Sequence, residues 1–306
     1  MDPEIRPPSA MTLAAFGTAV VLGGGNFLAV RFSNRELAPL WGAGLRFGVA
    51  AVVFVGIVMA MRLRWPRGRV LTLNIAFGLL SFAVFYALVY WALVRVTAGV
   101  ASVVLAAVPL VTLLLATAHG MERISWRPIA GAVLALAGIT WMTVGPQEVV
   151  LPLTALGALV VAVICVGESV IISKKLSANH PAMTNAVAMI AGAGALLGMS
   201  AVVGDPWILP TEKGVVWSLV YLVTFGSVGL FVLILLVVRQ WTASATSYLF
   251  VMFPLVTMLL GAWLADEPIT SQGVTGAVLV MAGVWFGALS RTSGAGSEHP
   301  LAQPNP

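Results

Sequence analysis

The chain carries two copies of one sequence, and the copies share a membrane only if one of them is inverted. Residues 97–138 align without a gap on residues 242–283, at a constant offset of 145. Thr97-Ala98 falls on Thr242-Ala243, Ser102 on Ser247, and Pro109-Leu110-Val111-Thr112 on Pro254-Leu255-Val256-Thr257. Further along, Glu122 meets Glu267, Gly131-Ala132-Val133-Leu134 meets Gly276-Ala277-Val278-Leu279, and Gly138 meets Gly283. Of these 42 positions 17 are identical, about four times what apolar composition alone would give. A weaker register at an offset of 143 sets Ala19 on Ala162, Val20 on Val163, Asn26 on Ser169 and Arg31 on Lys174. An internal repeat in so apolar a chain marks a carrier built from two related halves.

Apolar residues make up 60% of the 306 and charged residues 9%, with a mean hydropathy of +1.01. No soluble domain of this length hides so much apolar surface. A membrane span needs about 20 predominantly apolar residues. Ten such stretches fall near 11–30, 37–61, 71–94, 97–118, 127–144, 152–173, 182–203, 213–237, 243–264 and 271–290. Five per half is an odd number, so the second half enters the membrane from the opposite side. The expected fold class is therefore an all-α integral membrane protein, ten transmembrane helices in two inverted five-helix repeats. The expected divisions are an N-terminal segment 1–10, a first repeat 11–144, a linker 145–151, a second repeat 152–290, and a disordered tail 291–306.

The net charge of +5 does not point to nucleic acid, because the basic residues sit in loops. With the N-terminus inside, the interior side collects eleven of them: Arg6, Arg62, Arg64, Arg67, Arg69, Arg123, Arg127, Lys174, Lys175, Arg239 and Arg291. Four lie outside, Arg31, Arg35, Arg95 and Lys213, while Arg46 lies within the second span. The positive-inside rule then places both termini in the cytoplasm and the chain in the inner or plasma membrane. Asp2 and Glu4 flank the start in place of a basic n-region, so the first stretch reads as a retained span. The single cysteine, Cys165, forms no internal disulfide and reads as a packing residue.

The GGGNFLAVRF end of the first span resembles a known family. So does the block AVPLVTLLLA…MERISWRPIAGAVLALAGI with its second copy FPLVTMLLGAWLADEPITSQGVTGAVLVMAGV. The family is the drug/metabolite transporter superfamily, in its ten-helix, EamA-like branch, and the likeness covers nearly the whole chain. Within that branch the chain is similar to YddG-type amino-acid exporters. The resemblance implies a secondary, alternating-access exporter of small metabolites, amino acids including aromatic ones. The expected partners are a small-molecule substrate and the lipid bilayer, with no cofactor, and the oligomeric state is left open, a monomer being one option. Alternatives are an exporter of another metabolite or drug, a channel, or a membrane enzyme acting on lipid-linked substrates.

The polar residues inside the spans are few. Pro109 and Pro254 interrupt the fourth and ninth spans at equivalent places, and proline removes a backbone donor and kinks a helix. They are the expected gating kinks, with simple packing kinks as the alternative. Glu168 is the one acidic residue well inside a span, where a carboxylate is disfavoured by ~2.5–3.5 kcal/mol unless it faces a cavity, a proton or a base. Arg46 reads first as a structural partner for Glu36 or Glu267, with an anchor for a substrate carboxylate as the other reading. Phe82, Tyr86 and Tyr90 share one helical stripe. Tyr86 and Tyr248 are read as cavity lining, whereas Tyr90, Trp91, Trp217 and Trp263 are read as an interfacial belt. Asn26 and Ser169 stand at equivalent repeat positions, and Ser102 and Ser247 are read as hydrogen-bonding glue. The expected substrate site is thus lined by spans one, three, six and nine, with Asn26, Tyr86, Glu168, Ser169 and Tyr248 among its walls. Gly44/Gly48 and Gly194/Gly198 are read as small pairs that let helices approach closely. Gly23-Gly24-Gly25 lacks the strand and the Lys-Ser/Thr of a phosphate loop. No catalytic constellation and no metal-binding spacing is present in the sequence: His119, His180 and His299 lie at span ends or in the tail.

Overall fold

The computed structural model describes residues 10–120, 126–141, 152–176, 179–231, 233 and 243–286. Among them all regular structure is helical, as it must be where no water satisfies backbone groups. The helices are α1 (Ala10–Ser33), α2 (Pro39–Ala60), α3 (Arg69–Leu93), α4 (Ala98–Ala118), α5 (Trp126–Trp141), α6 (Leu153–Lys174), α7 (Pro181–Val203), α8 (Lys213–Gly229), α9 (Ala243–Ala265) and α10 (Ser271–Val284). Each lies on one of the ten apolar stretches. Six of them (α1, α2, α3, α4, α6 and α7) are long and apolar enough to cross a membrane, and the other four are shorter apolar helices over the described residues. Side chains such as Val52, Val202 and Trp263 are widely exposed, which suits contact with lipid.

Local chemistry sets the ends. α2 and α7 each begin with a proline, Pro39 and Pro181, whose missing N–H is one the first turn would leave unpaired anyway. α7 closes on Gly204 at φ 79°, a left-handed cap in which Asp205 N donates to Ser200 O.

The packing has the reciprocity that two inverted copies require. α2 packs mainly on α7 and α5 on α10, each pair being repeat images of one another. The contact of α1 with α9 is mirrored by α6 with α4, and that of α3 with α6 by α8 with α1. The α5–α10 contact shows the relation at atomic scale. A Cβ added at Gly138 would stand 2.8 Å from Gly276 O, and one at Gly283 would stand 2.6 Å from Gly131 O. Both pairs are related by the offset of 145, so each contact is the image of the other, as on a two-fold axis.

The small-residue reading of Gly44/Gly48 and Gly194/Gly198 needs correction. Gly44 does pack against Leu197, but Gly48, Gly194 and Gly198 face open space. The close approach of α3 and α7 is made instead by Gly78 against the Ala188 backbone and Gly192 against Phe82 and Gly78 O.

Helix irregularities fall partly where the prolines predict and partly elsewhere. α4 is interrupted at Ala106–Ala107, and Pro109 opens the continuation that runs Val108–Ala118. α9 is helical throughout Ala243–Ala265 with Pro254 inside it. There the Thr257 hydroxyl lies 2.9 Å from both Phe253 O and Gly24 O, shares its one proton between them, and ties α9 to α1. Two π-helical segments, Leu79–Val84 in α3 and Thr224–Gly229 in α8, are also related by the offset of 145. A π turn shifts the hydrogen-bond ladder and frees backbone groups for other partners.

Candidate substrate site between the halves

α2 is apolar on its buried face (Phe47, Ala50, Phe54) apart from Arg46, which is fully enclosed. The guanidinium is held by α8. Arg46 Nε donates to Ser227 Oγ and Nη2 donates to Gly226 O, both at 3.0 Å. Both acceptors belong to the π segment, whose shifted ladder presents the Gly226 carbonyl sideways. Asn26 Nδ2, from α1, donates to the same carbonyl at 3.3 Å. Only glycine fits at 226, because a Cβ there would fall on the Asn26 amide and 3.3 Å from Arg46 Nη2. Aromatic faces complete the enclosure, with the guanidinium carbon 4.9 Å from the Phe47 ring centre and 5.1 Å from that of Tyr86. Tyr221 closes the side beside α1, its hydroxyl donating to Leu22 O at 2.8 Å. Asn26 Oδ1 lacks a hydrogen-bond partner, and Arg46 Nη1 and the Tyr90 hydroxyl make no full hydrogen bond although the hydroxyl stands close to the guanidinium.

The end of the bundle where α1 gives way to α2 is closed by Glu267. This carboxylate, in the loop between α9 and α10, pairs with Arg31 of α1. It also accepts from the backbone N–H groups of Ala98, at 3.0 Å, and Gly99, at 3.4 Å, in the first turn of α4. A helix N-terminus has unpaired donors and a partial positive charge, so an anion is favoured there. The second half thus grips two helices of the first. A cavity of about 260 Å³ opens beside this contact, lined by Arg31, Asn34, Arg35, Leu93, Val94 and Ala265. Glu36 does the same at α8: it accepts from the Thr211 hydroxyl at 2.6 Å and from Thr211 N and Glu212 N at 2.9 and 3.1 Å. Those bonds, the Thr211 hydroxyl first, hold the Glu36 carboxyl below the usual carboxylate range.

At the opposite end, where α4 finishes, His119 Nε2 stands 3.3 Å from Glu168 Oε1 of α6. Both side chains are partly exposed.

Two stretches of the sequence, residues 10–144 and 153–288, match the EamA-like transporter family. The chain belongs to that family. It is 29% identical over 255 residues to an uncharacterized inner membrane transporter, YedA, of Escherichia coli K12, with 82% of this chain and 81% of that protein covered. It is 29% identical over 248 residues to a probable terminal-alkyne amino-acid exporter of Streptantibioticus cattleyicolor, covering 79% of this chain and 82% of the relative. A solved crystal structure of a protein 15% identical in sequence covers 93% of this chain and 100% of its own, with a TM-score of 0.64, a likeness of fold alone.

In this EamA-family transporter the residues expected to line one cavity are distributed. Asn26 and Tyr86 gather around Arg46. Glu168 pairs with His119, and no contact among the described residues joins it to Arg46 or Asn26. Ser169 is buried and its hydroxyl donates to Val166 O, 2.7 Å away on its own helix. Tyr248 lies within α9, and its side chain falls outside the described residues. Ser102 bonds its own helix at Gly99 O, and Ser247 is likewise outside the described side chains. Tyr90 belongs to no interfacial belt: it is fully buried, beside Tyr86 and near enough to Arg46 to feel its charge. Nor does Arg46 pair with Glu36 or Glu267, which are taken up by Thr211 and by Arg31 and α4. Gly226, Ser227 and the two ion pairs escape the sequence reading. The signal for Arg46 was present, since an ionisable residue inside a span marks a site whichever its sign.

Proposed function

We propose that this transporter exports small metabolites, amino acids including aromatic ones, by alternating access. Both termini are placed in the cytoplasm, so that the Glu267 end faces outward. One observation carries the mechanism: a carboxylate of the second half holds the N-terminus of α4 and Arg31 of the first, above a polar cluster enclosed between α1, α2, α3 and α8. A closed end above an enclosed polar site describes one of the two states that such a carrier alternates between. The relative named as an amino-acid exporter supports the substrate class, and the likeness to YddG-type exporters supports its aromatic members. The mobile parts are the interrupted α4, at Pro109, and α9, at Pro254. Glu168, at the opposite end beside His119, is the group that takes or releases a proton during turnover.

Counterflow in proteoliposomes tests the reading. Vesicles preloaded with an unlabelled amino acid accumulate the labelled one transiently, aromatic amino acids included. No accumulation across a panel of the common amino acids would overturn it. Glu168→Gln keeps the shape and removes the charge. It is predicted to slow counterflow about 100-fold, the loss expected when a positioned proton-transfer group is removed. An unchanged rate makes Glu168 structural.

A further inference from the structure

We propose that Arg46 and Asn26 form the head-group site for a zwitterionic α-amino acid, the Arg46 guanidinium taking the α-carboxylate and the Asn26 amide oxygen the α-ammonium. This rests on the export reading and names what the enclosed cluster recognises.

The first ground is charge. Arg46 is enclosed, yet no acidic side chain pairs with it among the described residues, where Glu267 is taken by Arg31 and Glu168 faces His119. The second is geometry. A guanidinium has five donors. Arg46 uses its side-on pair, Nε and Nη2, on Ser227 and Gly226, while Nη1 makes no full hydrogen bond and the guanidinium has the Tyr90 hydroxyl close by, which a ligand carboxylate would have to displace or share. That leaves the end-on edge of Nη1 and the second Nη2 proton, which matches the two oxygens of a carboxylate. The adjacent orphan has the opposite sense. Asn26 Oδ1 is an acceptor without a donor, and its amide is anchored through Nδ2 on the same Gly226 carbonyl. A donor edge and an acceptor held on one carbonyl suit a ligand with carboxylate and ammonium on one carbon. A simple amine or a simple acid leaves one of them unsatisfied.

The third ground is the repeat itself. At an offset of 142 the buried faces of α2 and α7 coincide: Phe47 falls on Met189, Ala50 on Gly192 and Phe54 on Leu196. On this register Arg46 falls on Ala188, whose backbone packs directly on Gly78 of α3. The second half closes the equivalent position with a methyl group, so packing the bundle does not call for a guanidinium. Ligand reaches the cluster when one end of the bundle opens while the α2–α8 contact stays made, as the two ends of an alternating carrier open in turn.

The test uses the full-length protein in proteoliposomes and the amino acid that exchanges best in the counterflow panel. Its competitors are the unlabelled amino acid, its carboxamide and its decarboxylated amine. In the wild type the acid should compete about 10- to 100-fold better than the amide, the ratio expected for charge-assisted hydrogen bonds. In Arg46→Gln the two should fall within about 3-fold of each other. Arg46→Lys keeps the charge but loses the fork, and should lie between. A purely structural Arg46 would weaken acid and amide alike and keep their ratio. A wild-type ratio near one, which needs no variant to fold, or a ratio preserved in Arg46→Gln overturns the site while export stands. If no amino acid exchanges, thermal melting with 3-phenylpropionate, a carboxylate without ammonium, decides separately. Stabilisation of the wild type but not of Arg46→Gln then leaves a carboxylate site standing and removes both the ammonium half and the export reading. No stabilisation removes the whole proposal.

Discussion

At the residue scale, two buried charges of this protein, Arg46 and Glu267, are held in large part by backbone. Arg46 leans on a carbonyl that the π segment of α8 frees, and Glu267 on the N–H groups that every helix leaves open in its first turn. Such partners cannot be found by matching charges along a sequence. That is why Arg46 read as a mate for Glu36 or Glu267, and why its real acceptor, 180 residues away, did not appear. Asn26 and Tyr86, which the structure gathers around Arg46, were legible as residues to watch because polarity inside an apolar span is itself the signal. The Glu267 contact makes a direct prediction. Glu267→Gln keeps an acceptor for one amide but loses the charge that binds Arg31 and α4, a loss of about 1.5–3 kcal/mol in a charge-assisted contact. The closed end should then open more often. A cysteine at buried Ala98, in a Cys165→Ala background, should react with a maleimide roughly 10- to 100-fold faster when the substitution is present. Equal rates with and without it would mean that Glu267 caps α4 without closing anything.

At the element scale, hydropathy located each helix of the described residues because a buried or lipid-facing helix must be apolar along its length, and caps such as Pro39, Pro181 and Gly204 sharpened the ends. The π segments stayed hidden. They differ from α-helix by one step in the hydrogen-bond ladder, and neither Leu79–Val84 nor Thr224–Gly229 carries a residue that demands it. Their matched placement shows that the repeat conserves a backbone device as well as a pattern of side chains. The prolines are legible but not equivalent in outcome. α4 is broken just before Pro109, whereas α9 runs on through Pro254 with Thr257 bonded to Phe253 O. Replacing Pro109 with Ala restores a donor and favours a continuous α4. We predict that it slows counterflow about 5- to 10-fold at unchanged expression, since a kink that takes part in a conformational step sets its rate. Pro254→Ala should cost less, because α9 is already continuous. Equal, negligible effects in both would leave the kinks to packing.

At the scale of the whole molecule, the repeat and the charge distribution make independent statements about orientation. The reciprocal contacts of Gly138 with Gly276 and of Gly283 with Gly131 relate the halves by a two-fold axis, which says that homologous loops lie on opposite faces. It does not say which face is which. The arginines do: Arg62, Arg64, Arg67 and Arg69 lie in and beside the α2–α3 loop, whereas the end closed by Glu267 carries only Arg31, Arg35, Arg95 and Lys213. The two arguments together predict that the α2–α3 loop is cytoplasmic and the α9–α10 loop external. Both Arg67 and Ile269 are exposed, so a cysteine at either is reachable without disturbing Glu267. In intact cells of a Cys165→Ala background, a membrane-impermeant maleimide should label Ile269→Cys and spare Arg67→Cys until the membrane is opened. Labelling of both on one side would break the inversion itself, and with it the exchange of one closed end for the other on which the proposed export depends. The reverse pattern, Arg67→Cys labelled and Ile269→Cys spared, would keep the inversion and turn the protein over, placing the Glu267 closure on the cytoplasmic face.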